Sequence, residues 1–92
     1  MPNSILIGGA SEMAICADLL LRGFHVYRNV VQNSGVDLVA LKGEEVYKIE
    51  VKTAKCCKSG RLVWTKPRHN NFDIVAGYSI DTKQVAYEPA LE

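Results

Sequence analysis

Hydrophobic positions along this chain recur first at helical spacing and then at alternate residues. Glu12, Cys16, Leu19, Leu20 and Gly23 fall on one i, i+4, i+7, i+8, i+11 stripe, which predicts a helix from Ser4 or Ala10 through Arg22. Gly8 and Gly9 leave its start between those two points, while Gly23 supplies a C-terminal stop and Arg22 suits the last turn. Glu12 then lies on or beside the buried face; a first-turn acid favoured by the helix dipole is the plainer account. Phe24–Val31 reads as a strand, and Gln32-Asn33-Ser34-Gly35 as a turn. Residues 36–41 alternate, Val46–Thr53 form a β-branched run, and Lys42-Gly43-Glu44-Glu45 is a polar turn between them. Beyond an irregular stretch with Gly60 and Pro67, Arg61–Thr65 is a short β-like run, Ile74–Ser79 and Val85–Glu88 are strands, and Pro89 ends the last. The order predicts a single α+β domain over residues 1–92, with the first helix packed on a mixed sheet of about five strands. A helical turn is expected around Pro67–Phe72.

The register of the central hairpin brings chemistry together. With Gly43 and Glu44 at its centre, Asp37 falls opposite Glu50, and opposed Cβ atoms lie about 4.5–5.5 Å apart, a gap one divalent ion can bridge. Lys52 follows at i+2 and shares the face of Glu50. The other face reads Val36, Leu38, Ala40, Tyr47, Ile49, Val51, without a charge. Carboxylate oxygens are hard ligands suited to Mg2+ or Mn2+, and few protein ligands leave room for water and a substrate phosphate. Such an ion polarises phosphoryl oxygens and acidifies a bound water. Lys52 can orient that water or stabilise transition-state charge, and the Val51 carbonyl is a further candidate ligand. The same residues also read as a solvated face in which Lys48 and Lys52 pair with Asp37 and Glu50.

Charge sharpens this picture. The net charge of +1 hides an acid-free stretch, residues 51–72, that holds Lys52, Lys55, Lys58, Arg61, Lys66 and Arg68. A polyanion drawn to that stretch arrives at Lys52, so DNA is the expected partner. Trp64 is placed either to pack in the core or to stack on a base. Apolar content of 48% excludes a disordered chain. Three cysteines, two histidines and no C-x-x-C argue against a structural zinc site or a disulfide framework. No apolar run of membrane-span length and no signal-peptide pattern stands out, so a soluble, cytoplasmic protein without a membrane partner is expected.

Asp37 followed by Glu50-Val51-Lys52 resembles the D…(D/E)xK signature of the PD-(D/E)xK nuclease superfamily. The run from Gly35 to Gly43, then Ile49 to Thr53, resembles the small archaeal Holliday junction resolvases and the group I intron homing endonucleases of that superfamily. Gly9-Ala10-Ser11-Glu12-Met13-Ala14, then Leu19 to Val26, resembles the family's first helix and first strand. The resemblance implies a restriction-endonuclease-like core and a Mg2+- or Mn2+-dependent endonuclease cutting duplex or branched DNA. It implies Asp37 and Glu50 as metal ligands, Glu12 as the helix-borne supporting acid, Lys52 as the catalytic lysine and Ser34 as a loop serine beside the site. Val36 replaces the proline of the family name. The family's second helix is short or missing in residues 54–72, which favours a rival reading, a DNA- or protein-binding module that keeps the scaffold without hydrolysis. One small domain has one site, so cutting both strands implies a homodimer.

Overall fold

The structure, a computed structural model, describes residues 3–31 and 35–91. The chain runs α1 (Ser4–Leu21), β1 (His25–Arg28), β2 (Leu38–Lys42), β3 (Glu45–Cys56), β4 (Leu62–Val63), β5 (Ile74–Ser79) and β6 (Val85–Glu88). The helix takes the earlier of its two candidate starts, because the Asn3 side chain accepts the Leu6 N–H at 3.0 Å and caps it. It stops where expected, with Gly23 at φ +92°. By length and composition α1 could cross a membrane, which corrects the expectation that no segment reaches that length. Glu12 and Asp18 are its only charged residues. Its Ser11–Ile15–Leu19 side is nonetheless buried in the domain.

The sheet is mixed, with strand order β1-β2-β3-β5-β6 and β4 paired to β3 off that path. Neighbours are antiparallel except β3 and β5, which run parallel from Ile49↔Ile74 to Ala54↔Ser79. The β2–β3 register is the one the Gly43–Glu44 turn dictates, from Lys42↔Glu45 to Leu38↔Ile49. Leu38, Ala40 and Ile49 therefore share the apolar face and are fully buried with Ile15, Leu19 and Ala76. Burial of these side chains against α1 is the main force holding helix to sheet.

Three expectations need correction. The first strand is shorter than Phe24–Val31, because Asn29 ends it: Oδ1 accepts the Val31 N–H at 2.8 Å and Nδ2 donates to the Val36 carbonyl at 2.7 Å. Among the described residues there are six strands rather than about five, since β3 runs on to Cys56 and folds back as β4 through a turn with Gly60 at φ +87°. No helical turn forms around Pro67–Phe72, and α1 is the single helix among the described residues. Parallel strands need a crossover, usually helical; here β4 and the irregular segment 64–73 make it. That segment is moored by Asp73, which donates its N–H to the Lys48 carbonyl at 2.8 Å and accepts the Lys48 N–H at 2.9 Å.

Candidate active site

From Glu50 to Ala54, β3 is paired by β5 alone, because pairing with β2 ends at Leu38↔Ile49 and β4 pairs only with Lys55 and Cys56. The site lies at that opening. Asp37, the residue before β2, is fixed through its backbone: its N–H donates to the Ile49 carbonyl at 2.9 Å, and its carbonyl accepts from the Asn29 N–H at 3.0 Å. Its Oδ2 accepts the Val51 N–H at 2.8 Å. The carboxylate thus occupies the edge of β3 between Glu50 and Lys52, instead of standing on the sheet face opposite Glu50. Asp37 leaves the regular ladder, and this in-plane turn is the departure from the expected geometry.

Glu50 projects from β3 with a side chain only 12% exposed. Its Oε1 lies 3.9 Å from Lys52 Nζ, and its Oε2 lies 3.6 Å from His69 Nε2. Oε2 is buried without a hydrogen-bond partner among the described residues. Burial, and then the nearby Asp37 carboxylate, push the Glu50 carboxyl above the usual glutamate range. Glu12 reaches the same place from α1. Ser11 Oγ lies 2.7 Å from Thr53 Oγ1, which pins the helix to β3 in the phase that turns Glu12 toward the cleft. Glu12 is also raised, by burial and then by Asp37, and it pairs with Arg28 of β1 at 3.6 Å.

Glu12, Asp37 and Glu50 line one cleft of about 720 Å3, together with Gly9, Arg28 and His69. Lys52 stands at its edge through Glu50. Among the described residues no three acidic, histidine or cysteine groups are close enough to enclose a metal ion. The donor set still fits a hard divalent ion: two carboxylates whose mutual repulsion a cation would relieve, one with a buried oxygen that lacks a hydrogen bond among the described residues. Val51 gives its N–H to Asp37, and a strand residue's N–H and C=O leave on the same edge, so its carbonyl faces the same opening. Ser34 lies outside the described residues.

Sequence reasoning missed Arg28 and His69. Neither carries a local signal, since Arg28 ends an exposed strand and His69 sits in a segment with no period. The basic side chains Lys55, Lys58, Arg61, Lys66 and Arg68 are all exposed, and none lines the acidic cleft. Lys55 is in β3, Lys58 in the β3–β4 turn and Arg61 just before β4, with Lys66 and Arg68 in the crossover. Trp64 is half-buried over Gly77, where an added Cβ would lie 2.5 Å from its ring. Gly77 pairs with Lys52, so the indole borders the lysine's face of the sheet.

One helix on a six-stranded mixed sheet, with a D…ExK set at an opened strand edge, defines a restriction-endonuclease-like α+β fold. Its arrangement is similar to that of a bacterial homing endonuclease, I-Ssp6803I, with a TM-score of 0.75 and 20% sequence identity over 94% of this chain and 68% of the other. The chain belongs to the PD-(D/E)XK endonuclease family, which its residues 3–92 match. No curated protein matches the sequence significantly.

Proposed function

We propose that this protein is a divalent-metal-dependent endonuclease that hydrolyses phosphodiester bonds in duplex or branched DNA. The observation that carries the reading is Glu50 Oε2, buried beside Asp37 without a hydrogen bond among the described residues. A buried carboxylate raised by a second carboxylate is held against its own electrostatics, and such arrangements cluster where function requires them. Asp37 and Glu50 hold Mg2+ or Mn2+, with the Val51 carbonyl as a further ligand and Glu12 acting through water. The ion supplies Lewis acidity toward a phosphoryl oxygen and an acidified water. Lys52 orients the nucleophile or stabilises the charge that builds on the phosphate. The exposed bases from Lys55 to Arg68 track the DNA backbone, and a homodimer brings a second site to the second strand. The free cysteines Cys16, Cys56 and Cys57 suit a reducing, cytoplasmic setting.

The rival reading, a binding module without hydrolysis, draws support from the missing second helix and from basic side chains that stay outside the cleft. A cleavage panel over junction, flap, duplex and single-stranded DNA with Mg2+ or Mn2+ separates the two. Metal-dependent cutting that disappears in Asp37→Ala supports the nuclease; DNA binding without cutting of any substrate favours the module.

A further inference from the structure

His69 is held more tightly than its place in an irregular segment requires. Its ring rests on Gly35, where φ is +83° and an added Cβ would lie 2.4 Å from Cε1. Phe72 meets it edge-on, with ring centroids 5.7 Å apart. Nδ1 accepts the Asn71 N–H at 3.4 Å, which leaves the imidazole proton on Nε2. That nitrogen faces Glu50 Oε2 at 3.6 Å. The separation exceeds a hydrogen bond, yet a carboxylate rotation of about 0.5 Å closes it, and polar contacts of this kind often tighten when a site fills.

We propose that His69 is a positioning residue for Glu50: its Nε2–H takes up the buried Oε2 and fixes the carboxylate in the orientation that receives a divalent ion. The assignment rests on the reading of the cleft as a metal centre. A ligating carboxylate free to rotate pays entropy when the ion binds, and partners behind the ligands remove that cost. The Gly35 seat, the Phe72 edge and the Asn71 bond have one common consequence, a fixed direction for Nε2. The contact also joins the crossover carrying Lys66 and Arg68 to the Asp37 loop, so the segment expected to meet DNA is physically continuous with the metal site.

The test is Mn2+ binding by the full chain without DNA, followed by the paramagnetic signal of free Mn2+, with melting temperatures recorded alongside. His69→Phe keeps a ring on Gly35 but removes the donor, and should weaken Mn2+ binding about 10–100-fold. His69→Gln returns an N–H at similar reach and should recover most of that loss. His69→Ala should bind as weakly as His69→Phe, and it stands in for that variant if the larger ring prevents folding. Wild-type affinity in His69→Phe, or equal weakness in His69→Gln and His69→Ala, overturns the positioning role. If the wild type itself takes up no Mn2+, the metal-centre reading fails and this role with it. If the wild type binds Mn2+ and cuts DNA while His69→Phe matches it, only the role of His69 is lost.

Discussion

Asp37 accepts the Val51 N–H through Oδ2 at 2.8 Å, in the stretch where β3 has lost β2 as a partner. One carboxylate oxygen thereby completes the sheet's hydrogen bonding. This structural role stands beside the metal-binding role proposed above, and substitutions should separate the two. In Asp37→Asn the amide oxygen can still accept from Val51, so the fold and its melting temperature should survive while metal response and cleavage are lost. Asp37→Ala strands a part-buried N–H and should cost a further ~1–3 kcal/mol in a denaturant melt. Equal stability of the two variants would show that the Val51 bond contributes nothing. Full metal-dependent cleavage by Asp37→Asn would sink the nuclease assignment.

Glu50 gives a prediction with a defined sign. Its carboxyl is raised by burial first and by Asp37 second, so the folded state holds the proton more tightly than the unfolded chain does. Stability from this group is therefore full below the ordinary glutamate value and is lost as pH rises through the raised one. Glu50→Gln removes the penalty and should melt higher than wild type at pH 7, with the gap closing toward pH 4. For a domain of this size each kcal/mol moves the melting temperature by about 4–8 °C, so calorimetry resolves the difference. Mg2+ or Mn2+ should raise the wild-type melting temperature and leave that of Glu50→Gln in place. A Glu50→Gln protein that melts lower than wild type at pH 7 would mean the carboxylate is stabilised in the fold.

What could be read in advance divides along local and long-range lines. A two-residue turn at Gly43 and Glu44 fixes parity, so the pairing of Leu38 with Ile49 and the apolar face follow from neighbouring residues alone. The helix stop at Gly23 and the limits of β5 and β6 are likewise local. The in-plane turn of Asp37 is not, because it depends on where β2 stops relative to β3. The crossover was illegible for the same reason. Its path is set by Trp64 on Gly77, Asp73 on Lys48 and His69 on Gly35, contacts between residues far apart in the chain with no periodic pattern to announce them.

The basic side chains make an electrostatic prediction that does not depend on the cleft. Lys55, Lys58, Arg61, Lys66 and Arg68 are exposed and form no ion pair among the described residues. If all five neutralise phosphates, the logarithm of DNA affinity should fall against the logarithm of salt with a slope of about −4.5. Reversing Lys55, Lys58, Arg61 and Lys66 to Glu should abolish binding while circular dichroism stays unchanged, since none of the four is buried. An affinity that ignores ionic strength would show that these side chains do not follow the backbone.

Substitution of Lys52 should separate catalysis from metal binding. Its ammonium sits 3.9 Å from Glu50 Oε1, close enough to offset part of the carboxylate's charge and to oppose an incoming cation. Lys52→Ala should therefore keep or modestly tighten Mn2+ affinity, because the loss of a like charge cannot weaken a cation's site electrostatically. Cleavage should fall by roughly two to three orders of magnitude, the usual effect of removing one group that stabilises developing charge. Glu12→Gln should do less on both counts, since Glu12 is already paired with Arg28. Single-turnover cleavage and Mn2+ titration on the same preparations decide the matter. If Lys52→Ala loses metal affinity in proportion to activity, the lysine holds the site together and does not act on the phosphate.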